Sequence, residues 1–206
     1  MNRCVIIGGA PIRSYEKIKA YLSPDDTCVY CDSGLFHREG LGRAPDLIVG
    51  DFDSCKNPNL PVETIVLPQE KDDTDTMFAV KEMLSRGFSD FLLIGVIGER
   101  LDHTLGNLSA LLYLDAKGVH ALAVDDHSEI SVVGREGAAV EERFSYFSLL
   151  CIGEPADGIT IKNAKYPLKD ASMSNLDPYG VSNEVLPGQT ASITVQNGRL
   201  LLIKVR

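Results

Sequence analysis

Pro45-Asp46-Leu47-Ile48-Val49-Gly50-Asp51-Phe52-Asp53-Ser54 is the stretch on which the reading of this chain turns. Residues 47–49 form a short apolar run with the length and β-branching of a buried strand. The run stops at Gly50 and delivers two carboxylates, Asp51 and Asp53, two residues apart. In an extended segment such positions face the same way, so both oxygens can reach one point. Mg2+ suits that arrangement, because it takes oxygen ligands from one or two carboxylates plus substrate phosphates. The alternative is a solvated acidic turn, since Asp, Ser and Gly also build ordinary loops.

Working outward, residues 1 to about 125 alternate strand and helix patterns. Strand-like runs lie at 4–7, 27–31, 47–49, 63–67, 91–97 and 119–124. Between them come helical stretches with apolar stripes: Tyr15, Ile18 and Leu22; Met77, Val80 and Leu84; Leu101, Leu105, Leu108 and Leu112. Continuous runs of Val, Ile and Leu in alternation with helices predict a parallel sheet with helices on both faces, a Rossmann-like layout. After Asp125-Asp126 the pattern changes. Strand-like pieces at 129–133, 146–152, 158–162, 190–195 and 200–205 predict an all-β sandwich, with a tight hairpin at Asn197-Gly198. Two domains are therefore expected, 1–126 and 127–206. The second is small enough to need support from the first or from another subunit.

Composition narrows the function classes. A formal charge of −9 over 206 residues argues against a general nucleic-acid binder, whose footprint is a basic face. No apolar run is long enough to span a bilayer. Nothing at the N-terminus resembles a cleavable leader, and five cysteines, an odd number, suit a reducing compartment. A cytosolic protein without a membrane partner is expected. Cys28 and Cys31 have zinc-knuckle spacing, but positions i and i+3 of a strand face opposite ways and no second pair completes a site.

On a parallel sheet the acidic residues fall at one edge. Asp32 follows the second strand, Asp51 and Asp53 the third, Asp72, Asp73 and Asp75 the fourth, and Asp102 the fifth. That carboxyl edge is where open α/β sheets bind ligands. Singly, Asp72, Asp75 and Asp102 could be helix caps. Together they repel: two like charges ~4 Å apart cost about 4 kcal/mol at an effective dielectric near 20, so a cluster calls for cations. Lys71 and Arg100 stand among them as phosphate partners. Gly8-Gly9 lets a phosphate or base approach the backbone. His103 could touch phosphate or be structural. No Walker A loop and no Gly-x-Gly-x-x-Gly after the first strand is present. The residues suggest Mg2+-dependent chemistry on a nucleotide polyphosphate, without naming the nucleophile.

Gly50-Asp51-Phe52-Asp53-Ser54, Lys71-Asp72-Asp73-Thr74-Asp75 and Arg100-Leu101-Asp102-His103 with Asn107 resemble, in order, the motifs of thiamine pyrophosphokinases. Tyr166-Pro167-Leu168 and Ser182-Asn183-Glu184 resemble that family's C-terminal signature. The resemblance implies an α/β catalytic domain that binds ATP and Mg2+ (1–126), a β-sandwich that binds thiamine and forms the homodimer (127–206), and transfer of the diphosphate of ATP to the thiamine hydroxyl with release of AMP. It implies Asp51, Asp53 and Asp75 as Mg2+ ligands, and Asp72 and Asp102 as groups that orient or deprotonate the hydroxyl. Gly8, Gly9, Asp32, Lys71, Thr74, Arg100 and His103 would contact ATP, with Arg100 also catalytic. Ser182 and Asn183 would contact thiamine. Two departures stand out: Cys31-Asp32-Ser33-Gly34 replaces the family's Ala-Asp-Gly-Gly, and the chain has no tryptophan to stack on thiamine, leaving Tyr179 as a possible aromatic wall. A pterin-alcohol pyrophosphokinase, a non-catalytic thiamine or nucleotide binder, and a metal-dependent phosphohydrolase are the rival readings.

Overall fold

The computed structural model describes residues 3–53, 55–70, 72–98 and 100–206. The chain forms two compact units, Met1–Asp126 and His127–Arg206. In the first, strands β1 (Cys4–Ile7), β2 (Thr27–Cys31), β3 (Leu47–Gly50), β4 (Glu63–Val66), β5 (Asp90–Ile94) and β6 (His120–Val124) lie in the order β4-β3-β2-β1-β5-β6. Every one of these pairings is parallel. The direction of strand addition reverses between β1 and β5, the kind of switch point at which such sheets open a crevice.

Strands β1, β2, β3 and β5 are almost wholly buried, which explains why they read as continuous apolar runs rather than alternating ones. Val5, Ile7, Cys28, Tyr30, Leu92 and Ile94 form one core with Ile18 of helix α1 (Tyr15–Lys19) and Leu41 of α2 (Arg38–Leu41). Helix α3 (Asp75–Ser85) packs on β1, β2 and β3, and α4 (Leu101–Ala116) packs on β6.

Helix α3 buries Val80 of its predicted stripe and leaves Met77 and Leu84 half-buried, whereas α4 turns a different face inward than its leucine spacing predicts. In α3 the buried residues are Thr76, Ala79, Val80 and Met83. In α4 they are Asn107, Ala110, Leu111 and Leu114, while Leu101 and Leu105 stay 67% and 54% exposed. Asn107 goes inside because its Nδ2 donates to the Val96 carbonyl (2.7 Å), tying α4 to the loop after β5. Small alanines let each helix approach closely.

The second unit contains no helix among the described residues. Strands β7 (Ser128–Val133), β13 (Leu200–Val205) and β9 (Tyr146–Cys151) pair antiparallel. A four-stranded sheet runs β11-β10-β12-β8, from β11 (Leu168–Met173) through β10 (Ala156–Lys162) and β12 (Thr190–Thr194) to β8 (Ala138–Glu141). One core draws on both sheets, with Val133, Leu149, Leu200 and Leu202 meeting Val140, Ile159, Ile161 and Ile193.

The hairpin expected at Asn197-Gly198 does not form. Its flanking strands belong to different sheets: β12 pairs with β8 and β10, β13 with β7 and β9. Asn197 instead bridges Asp157 (N to O 2.9 and 3.1 Å), and Gly198 at φ +82° turns the chain from one sheet to the other.

Candidate active site

Asp32, Asp51 and Asp53 each offer a carboxylate oxygen within 4.8 Å of the other two. They do not meet by the pleat of a strand. β3 ends at Gly50, and Asp51-Phe52-Asp53 is a turn in which Phe52 takes φ +60° and the Asp53 N–H donates to Asp51 Oδ1 (3.2 Å). A side chain in that backbone region costs of order 1–3 kcal/mol. Asp32, at the start of the 3-10 turn Asp32–His37, is held at φ +41°. Gly50 lets the two loops touch: a Cβ there would stand 3.2 Å from the Asp32 Cα, Cβ and N. The extended-segment reading of Asp51 and Asp53 is thus corrected, since a strained turn brings the carboxylates together. Asp32, expected as an ATP contact, joins them.

Asp75 lies outside that group but close by. It is the first residue of α3, and one of its carboxylate oxygens is sealed from solvent. Its charge, after burial, pushes the Cys31 thiol far up, with smaller effects from Cys4 and Asp32. Burial and then Asp32, Asp53 and Asp75 push the Cys55 thiol up to about 12. Cys55 Sγ donates to Asp32 Oδ1 at 3.5 Å, so this thiol belongs to the cluster's wall. Nothing in the sequence pattern marked it, because a half-buried cysteine after an acidic turn has no signature of its own.

The remaining candidates are distributed as follows. Thr74 is the N-cap of α3, its Oγ1 accepting from Met77 N (3.2 Å). Asp72 is exposed in the turn before it, and Asp73 pairs with Lys81 (2.7 Å). Lys71 lies outside the described residues. Arg100 and Asp102 form a forked ion pair at 2.6 and 3.2 Å, both well exposed at the start of α4, with His103 exposed beside them. The guanidinium holds the Asp102 carboxyl down to about 2, helped by the His103 N–H.

Gly8 and Gly9 answer first to packing. A Cβ on Gly8 would stand 2.6 Å from the Gly95 carbonyl, where the loops after β1 and β5 cross at the switch point. A Cβ on Gly9 would collide with the Ser33 side chain, so Ser33 lies over that backbone. His37, buried, ties the same loop down: its Nε2 donates to the Ala10 carbonyl (2.9 Å) and its Nδ1 accepts from the Tyr15 hydroxyl (2.8 Å).

In the second unit Ser182 and Asn183 part company. Ser182 is exposed at φ +58°. Asn183 is 5% exposed, and its amide is engaged with the backbone of Tyr166 and Glu184. Asn183 also lines a cavity of about 160 Å3 with Ile161, Tyr166, Leu168, Tyr179, Gly180 and Val181.

The donor set is all oxygen, three carboxylates and no imidazole or thiolate, which fits a hard divalent cation. An ATP-using kinase generally needs such an ion. Comparison with known proteins agrees. Residues 18–123 match the model of the thiamin pyrophosphokinase catalytic domain, and 137–200 that of the thiamin pyrophosphokinase vitamin B1 binding domain. A thiamine pyrophosphokinase of Bacillus subtilis is 24% identical over 213 residues, covering 99% of both chains. The crystal structure of thiamine pyrophosphokinase from Bacillus subtilis superposes with a TM-score of 0.88 at 21% identity, covering 99% of each chain. That of thiamin pyrophosphokinase from Geobacillus thermodenitrificans gives 0.84 at 25%, covering 99% of this chain and 97% of the other. The catalytic-domain match alone takes in half of the sequence, and the chain belongs to the thiamin pyrophosphokinase family.

Proposed function

We propose that this chain carries out its family's reaction, ATP-dependent formation of thiamine diphosphate, with the metal held by the loops after β2 and β3. The observation that carries the reading is the gathering of Asp32, Asp51 and Asp53, with Asp75 close by, at the carboxyl edge of a parallel sheet. Asp51, Asp53 and Asp75 would hold Mg2+, with Asp32 completing or orienting the set. Bound there, the ion neutralises phosphate charge and fixes the triphosphate.

In the proposed reaction the thiamine hydroxyl oxygen bonds the β-phosphorus while the bridge to the α-phosphorus breaks and AMP leaves. The hydroxyl proton passes to a carboxylate. Asp102 is held down to about 2 only while Arg100 pairs with it, so it would orient the hydroxyl, or take its proton once Arg100 turns to phosphate. Asp72, exposed in the turn before α3, is the other candidate acceptor. Arg100 would exchange Asp102 for phosphate oxygens, and Lys71, Thr74, His103 and the Gly8-Gly9 backbone would complete the ATP site.

The pocket beside Ser182 would take one ring of thiamine. At about 160 Å3 it compares with an engineered cavity of about 150 Å3 that admits benzene. Tyr166 and Tyr179 would be its aromatic walls, and the B1-binding match over 137–200 favours thiamine over a pterin alcohol. The reading includes a Rossmann-like first unit with helices on both faces, a cytoplasmic location and a homodimer. No helix among the described residues is long and apolar enough to cross a membrane. The exposed Leu101 and Leu105 supply an apolar face for a second copy.

The test is AMP release from ATP and Mg2+ with and without thiamine. The wild-type chain should release AMP only when thiamine is present, and Asp53→Asn should lower that rate by about a hundredfold or more with its circular dichroism unchanged. AMP release independent of thiamine, or none at all, would remove the reading.

A further inference from the structure

Asn183 sits in the family's signature and lines the cavity, yet its side-chain amide is spent on the main chain. It is 5% exposed, and three hydrogen bonds occupy its amide. Oδ1 accepts from Tyr166 N (3.0 Å) and Glu184 N (2.9 Å), and Nδ2 donates to the Tyr166 carbonyl (2.8 Å). Two of these form a bracket on one residue's main chain, taking both its donor and its acceptor. The Asn183 backbone is itself anchored on β9, exchanging N–H and carbonyl with Phe147 at 2.8 and 2.9 Å. Tyr166 is 58% exposed and lines the apolar cavity, so what Asn183 fixes is the position of a wall.

We infer that Asn183 is a positioning residue for the alcohol substrate, acting through Tyr166. The inference rests on the reading of that cavity as the thiamine ring pocket. Side-chain amides that satisfy a main-chain donor and acceptor together substitute for a strand partner where none is present. Lys165-Tyr166 follows a bridge between Ala164 and Val185: Lys165 N donates to Glu184 O (2.9 Å), and its ammonium pairs with Glu184 Oε1 (2.7 Å) and lies 5.6 Å from the Tyr166 ring centroid. The Asn183 bracket thus holds the Tyr166 main chain, and with it the ring, at the cavity. Ser182, next to the bracket, is exposed at φ +58°.

A double-mutant cycle on the full chain tests this, reading KM for thiamine, KM for ATP and kcat in Asn183→Ala, Tyr166→Ala and the pair. Asn183→Ala should raise the thiamine KM about tenfold, the scale of one or two lost hydrogen bonds, and leave the ATP KM unchanged. On the Tyr166→Ala background it should add nothing further. KM does not depend on the folded fraction, so a simple loss of stability moves kcat alone. Asn183→Asp provides a second variant of the same shape. It keeps both acceptor contacts, loses the donor to the Tyr166 carbonyl, and should show a smaller rise that Tyr166→Ala again abolishes. Effects that multiply in the double variant, an equal rise in the ATP KM, or an unchanged thiamine KM would overturn the inference. A wild-type chain that forms no thiamine diphosphate would overturn the underlying reading instead.

Discussion

At the scale of single residues, backbone strain and burial do the work that spacing alone could not reveal. Asp51 and Asp53 were legible as a ligand pair, but their convergence depends on Phe52 at φ +60° and on Gly50 leaving room for Asp32. A pattern of residue types carries no φ angles, so the turn was invisible. His37 was invisible for a related reason: it lies between no recognisable motifs, yet it pins the Ala10 loop and Tyr15. Burial lowers its pKa below the ordinary 6.5, against a smaller opposing effect of the Ala10 carbonyl. The folded chain therefore resists protonating His37 more than the unfolded chain does. Its contribution to stability is present in full above the unfolded value and is lost as pH falls below it. The thermal midpoint should drop between pH 7.5 and 5.5, and the drop should be smaller in His37→Gln, which can keep a donor toward Ala10. An equal pH dependence in both proteins would show that another group is responsible.

At the scale of elements, the strands buried on both faces read most plainly in the sequence. β1, β2, β3 and β5 are apolar throughout because helices or neighbouring strands cover them. β8 and β11 escaped because they are the edges of their sheet, where only one residue of each is buried and no apolar run marks them. One helix face misled in the other direction. The Leu101, Leu105, Leu108, Leu112 stripe has the right period for a core face, but Ala110, Leu111 and Leu114 occupy the core. That leaves an apolar stripe with open leucines beside Arg100 and Asp102, the surface we assign to a second copy. Burying one leucine is worth about 1.5–3 kcal/mol. Leu105→Glu should raise the dimer dissociation constant at least tenfold in sedimentation equilibrium. A monomeric wild type, or an unchanged dimer in the variant, would free that face for another explanation.

At the scale of the whole molecule, four crossovers of a parallel sheet, those after β2, β3, β4 and β5, send acidic loops to one edge, and the order of the motifs along the chain is the order in which those loops are made. The sheet made the cluster legible, while its membership was decided by loop conformation: Asp32, Asp51 and Asp53 gather, Asp75 stands near, and Asp102 turns to Arg100. In the second unit the signature Ser182-Asn183 divides into an exposed residue and a buried bracket, a division no spacing rule contains. What the account stands on is that the gathered carboxylates hold a divalent cation. The most direct measurement is Mn2+ uptake, followed by loss of the free-ion electron paramagnetic resonance signal, with a non-hydrolysable ATP analogue present. The wild-type chain should take up Mn2+ saturably, and the Asp32→Asn, Asp51→Asn, Asp53→Asn triple variant should bind it at least tenfold more weakly. Equal uptake by the two proteins would contradict the account.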